Sequence, residues 1–262
     1  MAKPIPKSHR VTVTATERVT ANMQRITLQG EEIGHITADD AGNYIKLMFN
    51  PQGGTDLKQL AEGERPVLRT YTIRSVDTEN TAIEVDFVAH LSPDHEPGVA
   101  ASWAMQAKVG DTISIGGPGK MQAMYTDADW YLMVADMTAL PACSVKASQL
   151  PSDAKGYMVV SLMSEADKQA LNVPEGIEVI WLPPQQSLVE TVKNLPWLEG
   201  NVSTWSACEF EDMRQLRKYF RVQKQVARDH SYISSYWKRG VSEDRHKVIK
   251  KAEAEKDAAQ SL

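Results

Sequence analysis

The hydrophobic pattern changes character once along the chain. Over the first 120 or so residues, apolar and polar positions alternate in short runs. Val11-Thr12-Val13-Thr14-Ala15-Thr16 has the two-residue period of a half-buried strand, and Tyr44 to Phe49, Val67 to Val76 and Ile83 to His90 are β-rich runs bounded by Gly, Pro, Asn and Asp. Strands recurring between turn signals predict a small antiparallel barrel. A short helix at Ala100 to Ala107 interrupts it before Asp111 to Ile115 returns to strand.

After Asp127 short apolar runs alternate with helical ones: Trp130 to Ala135 then Ala139 to Gln149, Tyr157 to Leu162, Ile177 to Leu182 then Ser187 to Asn194, Val202 to Ala207 then Glu211 to Lys224, and Ser231 to Tyr236. That rhythm implies a parallel sheet with helices on both faces. Beyond Gly240, Ser242-Glu243-Asp244 offers a hydroxyl cap and first-turn acids for one more helix. The fold class is thus β + α/β: an antiparallel barrel domain over 1–125, a nucleotide-binding-like α/β domain over 126–240 and a C-terminal helical extension over 241–262.

Composition narrows the function classes. With 42% hydrophobic and 24% charged residues among 262, there is material for two cores. No apolar run approaches the ~20 residues of a membrane-spanning helix, and the start MAKPIPKSHR lacks the apolar core of a secretory signal, so a cytoplasmic location is expected. Cys143 and Cys208 stand far apart with no C-x-x-C spacing, which excludes a thiolate-built cluster or zinc site and leaves redox chemistry to a bound organic cofactor. The net charge of -5 is uneven: Arg214 to Lys256 holds 13 Lys/Arg against 5 Asp/Glu, the remainder 16 against 29. This basic end is either a pair of solvated helices or a field for an anionic dinucleotide, chelate or acidic redox partner. Nucleic acid is disfavoured, because aromatic and basic residues do not interleave along a strand and the pI is 5.7.

Five stretches carry candidate chemistry. Arg69-Thr70-Tyr71-Thr72 has the form R-x-Y-T; on a strand Arg69 and Tyr71 share a face, offering a donor fork and an aromatic ring, with Thr72 opposite. Asp86-Phe87-Val88-Ala89-His90 precedes Gly98-Val99-Ala100-Ala101-Ser102-Trp103-Ala104, which opens a helix whose first amides and Ser102 hydroxyl suit a pyrophosphate. Val134-Ala135-Asp136-Met137-Thr138-Ala139-Leu140-Pro141-Ala142 falls at the first strand-to-helix turn of the α/β half, and Ser234-Ser235-Tyr236-Trp237-Lys238-Arg239-Gly240 closes its last strand.

A barrel followed by a nucleotide-binding α/β domain, with R-x-Y-T in the barrel, resembles ferredoxin-reductase-like flavoproteins. The conjunction of these stretches, in order, resembles the siderophore-interacting protein family, matching its D-F-V-x-H, G-P-A-x-x-W-A, G-D-E-T-A-L-P-A and Y-W-K-R-G segments, and the resemblance spans Val11 to Gly240. The resemblance implies an FAD-dependent ferric-siderophore reductase fed by NAD(P)H or a ferredoxin. It places Arg69, Thr70, Tyr71, Thr72, His90, Ala101, Ser102 and Trp103 on FAD, Asp136, Thr138 and Ala139 near the dinucleotide region or the flavin's outer portion, and Tyr236 and Trp237 flanking the cofactor. Ala135 and Met137 depart from the pattern where Gly and an acid are usual, so a weak or transient nicotinamide site is expected.

Lys46, Lys120, Lys238 and Arg239, each at a strand end or turn beside a matching stretch, are the candidate cations for an anionic ferric chelate. Glu165 and Asp167 follow the second strand of the α/β half, where acids favour a ribose 2′-hydroxyl, and point to NADH, with NADPH as the alternative; the neighbouring Lys168 works against that preference. Two other readings compete: a general flavin or ferredoxin-linked oxidoreductase, and a siderophore-binding protein without turnover.

Overall fold

A computed structural model describes residues 7–89, 98–241 and 243–259. His90 and Ser242, both singled out above, lie outside the described residues. The chain forms two compact units, one of residues up to Gln122 together with Ser144–Lys146 and Met163–Leu171, the other of Ala123–Cys143, Ala147–Leu162 and Asn172 onward.

The first unit is one antiparallel sheet with one helix. Its strands are β1 (His9–Thr20), β2 (Met23–Gln29), β3 (Tyr44–Phe49), β4 (Val67–Thr72), β5 (Ser75–Asp77), β6 (Ala82–Val88) and β7 (Thr112–Gly119), with α1 (Val99–Gln106) before the last, and the order across the sheet is β4-β3-β7-β1-β2-β6-β5. Alternation builds the core: Val11, Val13, Ile26, Leu28, Ile45, Leu47, Ile113 and Ile115 all point inward, with Ala100 and Ala104 of α1. Strand β2 escapes the sequence pattern because Arg25 interrupts it. The structure accommodates that charge by setting Arg25 directly across from Asp86, with bonds of 2.7 and 2.9 Å to the two carboxylate oxygens.

The expected antiparallel barrel is present as a seven-stranded antiparallel sheet whose ladders do not close between β4 and β5. Its two edges, β4 and β5, are halves of the stretch Val67 to Val76 that alternation reads as a single strand. The chain changes partners between consecutive residues: Ile73 N donates to Asn43 O, and Arg74 N donates to Glu84 O. The first half therefore pairs with β3 and the second with β6.

The second unit holds β8 (Trp130–Asp136), α2 (Leu140–Ser148), β9 (Lys155–Ser161), β10 (Gly176–Leu182), α3 (Leu188–Asn194), β11 (Val202–Glu209), α4 (Phe210–Lys218), β12 (Ser231–Trp237) and α5 (Glu243–Ala259). All five strands are parallel in the order β10-β9-β8-β11-β12. Central β11 is buried at every position, as a parallel strand covered on both faces must be. The winding direction reverses between β8 and β11, the place where open parallel sheets leave a crevice at their carboxyl ends for a ligand. The helix expected to run from Glu211 to Lys224 is α4 followed by a π-helical turn, Tyr219–Gln223, that buries both Tyr219 and Phe220. No described helix is long and apolar enough to cross a membrane.

Candidate cofactor and substrate site

Strand β4 presents its inner face beside the core. Leu47 and Ile45 of β3, both fully buried, lie opposite Arg69 and Tyr71, so these two side chains share the inward face. The Tyr71 ring rests on Phe87 with centroids 4.4 Å apart, and Phe87 in turn meets Trp103 at 5.8 Å. Thr70 does not join them. It pairs with Lys46 and is exposed on the opposite face, because neighbours on a strand alternate; a role for Thr70 at the cofactor would run through its backbone, not its hydroxyl. Thr72 is buried across from Tyr44.

Arg69, Ser102 and Trp103 line a single open cavity of about 990 Å³, at the top of the roughly 300–1,000 Å³ range of small-molecule sites. Arg69 sits on its floor, donating from Nη1 to Leu68 O at 3.0 Å. Helix α1 forms one wall, and Gly98 caps it without a side chain, so its first amides are left to other acceptors. Ala101 is buried under the helix, where it contributes backbone and packing. The residues fit a dinucleotide flavin: a guanidinium and a helix N-terminus for the diphosphate, and aromatic rings alongside.

Sequence reasoning missed the opposite wall, the Asn50–Thr55 turn. Buried Asn50 shapes it, accepting from Gly54 N through Oδ1 at 2.8 Å, while Gly53 takes a φ of 88° that other residues resist. The Pro-Gln-Gly-Gly cluster marks a turn in the sequence, but nothing there says that the turn borders a cavity.

On the outer face, Lys46 opposes Gly116, and Lys120 directly follows β7. The Tyr44 ring lies flat on Gly119, whose place any Cβ would contest. In the second unit, the Lys238 ammonium is 2.7 Å from Glu211 Oε1 and sits 4.4 Å over the Phe210 ring. The Arg239 side chain is exposed, and its backbone N donates to Glu209 Oε1 at 3.0 Å.

The carboxyl edge of the parallel sheet brings together Asp136, Thr138, Ala139 and Trp237. Asp136 Oδ1 accepts from Thr138 N, Thr138 Oγ1 and Ala139 N at 2.9, 2.6 and 3.2 Å, and Oδ2 accepts from the Trp237 indole at 2.7 Å. Burial pushes the Asp136 carboxyl above the usual range, against the pull of those donors. Both carboxylate oxygens of Asp136 thus accept from protein groups. Asp212 is also pushed up, by burial and then by Glu209 and Asp136. Tyr236 is buried in its hydroxyl, which raises its pKa, and it shares a hydrogen bond with Tyr232.

Comparison with known proteins agrees with this layout. Residues 12–122 match the family described as siderophore-interacting FAD-binding domain, and residues 128–240 the one described as siderophore-interacting protein. The ferric vibriobactin reductase ViuB of Vibrio cholerae is 33% identical over 86% of this chain and 88% of its own length. The chain belongs to the siderophore-interacting protein family. An NADPH-dependent ferric-chelate reductase of Escherichia coli is 30% identical over 69% of this chain and 73% of its own. The crystal structure of the siderophore-interacting protein SipS from Aeromonas hydrophila superposes with a TM-score of 0.80 at 31% identity, covering 94% of this chain and 99% of that one.

Within the family frame, the acid expected to select NADH is engaged elsewhere. Asp167 is fully buried in the first unit, where it accepts from Thr20 Oγ1, Asn22 N and Asn22 Nδ2, each at 2.8 Å. Its carboxylate clasps the β1–β2 turn and cannot meet a ribose. The remaining acid, Glu165, is exposed and lies 3.8 Å from the Lys168 ammonium. The segment after β9 thus carries no unopposed negative charge to reject a 2′-phosphate.

Proposed function

We propose that this protein is an FAD-dependent ferric-siderophore reductase that takes electrons from NAD(P)H. The carrying observation is the convergence of Arg69 of β4 with Ser102 and Trp103 of α1 on one cavity, with the Tyr71 ring joined to Trp103 through Phe87. In this reading Arg69 and the α1 amides hold the diphosphate of FAD, and Tyr71 and Trp103 flank its ring system. A bound flavin supplies the exchange of a two-electron donor for a one-electron acceptor. Iron arrives as Fe(III) held by hard oxygen ligands, and gaining one electron makes it Fe(II), a softer ion for which those ligands are a poorer match. Release follows, and no protein acid, base or nucleophile is needed.

Lys46, Lys120 and Arg239 are assigned to the chelate, as cations that attract an anionic complex. NADPH is expected to serve at least as well as NADH, given where Asp167 is committed, and the E. coli relative is named for that donor. A ferredoxin is the alternative donor. The proposed location is the cytoplasm, where NAD(P)H is available and where imported iron must leave its chelator.

Anaerobic mixing tests the whole reading. The purified yellow protein should bleach on adding NADPH or NADH and recover on adding a ferric siderophore, with Fe(II) trapped by a coloured ferrous chelator. A protein that binds the siderophore while its flavin never cycles, with either dinucleotide or with reduced ferredoxin, would be a binding protein instead.

A further inference from the structure

The ends of β8 and β12 are not neighbours, because β11 lies between them. Asp136 bridges that gap. Oδ1 caps the turn into α2 through Thr138 and Ala139, while Oδ2 reaches across to the Trp237 indole N–H at 2.7 Å. The cap alone does not require a charge, since Asn caps helices as well as Asp. The indole does require an acceptor on that side, and an amide oriented to cap α2 would turn its NH2 toward it. A carboxylate kept in a buried place that disfavours its charge is thus explained by serving both partners.

The bridge passes over the point where the sheet reverses its winding, the crevice in which parallel sheets of this order take nucleotides. Phosphate gains little there. Asp136, Glu209 and Asp212 gather at the edge, and Ala135 stands where a glycine that lets the backbone approach a phosphate is usual. Base stacking must then carry a larger share of dinucleotide binding, and the half-buried Trp237 supplies a flat ring at that edge.

We propose that Asp136 is a positioning residue for the nicotinamide donor: it fixes the Trp237 indole beside the crevice so that a preset aromatic face meets a planar base of the dinucleotide. This rests on the NAD(P)H-dependent reading above. Holding the ring in place before binding lowers the ordering cost of the complex.

Two substitutions separate the roles. Asp136→Asn keeps an oxygen for Thr138 and Ala139 but faces the indole with a donor; Trp237→Phe keeps a ring and removes the N–H. In ¹⁵N-labelled protein the Trp237 indole resonance, identified by its loss in Trp237→Phe, should shift and exchange faster with solvent in Asp136→Asn. KM for NADPH should rise about three- to tenfold in each variant, the range one net hydrogen bond spans, with kcat at saturation little changed. The double variant should be no worse than the weaker single one. Additive losses, or an unchanged KM once the indole signal shows the bond broken, would overturn the proposal. If Asp136→Asn does not fold, Trp237→Phe decides by its KM alone. Wild-type flavin that neither dinucleotide bleaches is a separate result, and it sinks the donor reading before any variant is compared.

Discussion

Four cations were legible as candidates for the chelate, and their surroundings now rank them. Lys238 is drawn to Glu211 and covers Phe210, so its charge is largely answered at home. Arg239 has its backbone held by Glu209 and its side chain in solvent, with no hydrogen-bond or ion-pair partner for its guanidinium among the described residues. Replacing Arg239 by Ala is therefore expected to raise the apparent KM for a ferric siderophore about three- to tenfold, while Lys238→Ala changes it less than about twofold. Steady-state assays with an anionic chelate check this, and equal effects would erase the ranking. The same local logic separates Arg69 and Tyr71 from Thr70: a two-residue period tells which side chains travel together, and of the pair it puts on the inner face Arg69 lines the cavity while Tyr71 packs on Phe87. Asp136 and Asp167 could not be sorted this way. One ends a strand and the other follows one, and what distinguishes them is the identity of distant donors, Trp237 for Asp136 and Thr20 with Asn22 for Asp167.

Among the elements, α5 is held by polar groups more than by an apolar face. His246, almost fully buried, meets the Ser235 hydroxyl at 2.9 Å, and Lys250 donates to Ser234 Oγ and Ser235 O at 2.6 and 3.0 Å. Val248 is 69% exposed, and Ile249 packs against the core of the second unit. Burial first, and then Lys250, depress the His246 pKa; Lys238 adds to this, and Glu243 and Glu209 oppose it. A histidine depressed in the folded state binds fewer protons there than when released, so docking is at full strength above the ordinary value of about 6.5 and is lost progressively as pH falls below it. Hydrogen exchange of the α5 amides, corrected for intrinsic rates, should show protection falling from about pH 8 to about pH 5.5 in the wild type and much less so in His246→Gln. A parallel loss in both would remove His246 from the account. The helix itself was readable from Glu243 onward, as were β8 to β12 from their apolar runs. Strand β2 was not, because its Arg25 is tolerable only opposite Asp86, a pairing that a separation of 61 positions conceals.

At the scale of the whole molecule, the change of rhythm near residue 127 announced an antiparallel half and a parallel half, and the family match over 12–122 and 128–240 follows the same division. Segments that cross the division were invisible to pattern. Met163–Leu171 packs as part of the first unit although it leaves a strand of the second, and Asp167 is what secures it. Asp167→Ala would strand three donors at the β1–β2 turn and is expected to cost about 3 kcal/mol in urea unfolding. The ratio of kcat/KM for NADH and NADPH should stay within about twofold of wild type, because the carboxylate selects neither donor. A marked swing toward NADPH would return Asp167 to the ribose.

The exchange of partners at Ile73 and Arg74 has a bearing on the strand that carries Arg69 and Tyr71. A strand with one neighbour can slide by a residue and turn its whole inner row outward. Here sliding along β3 would drag Arg74 away from Glu84, so two ladders on different neighbours veto each other's slippage. Arg69 and Tyr71 are kept facing inward by backbone bonds made further along the chain, at Ile73 and Arg74.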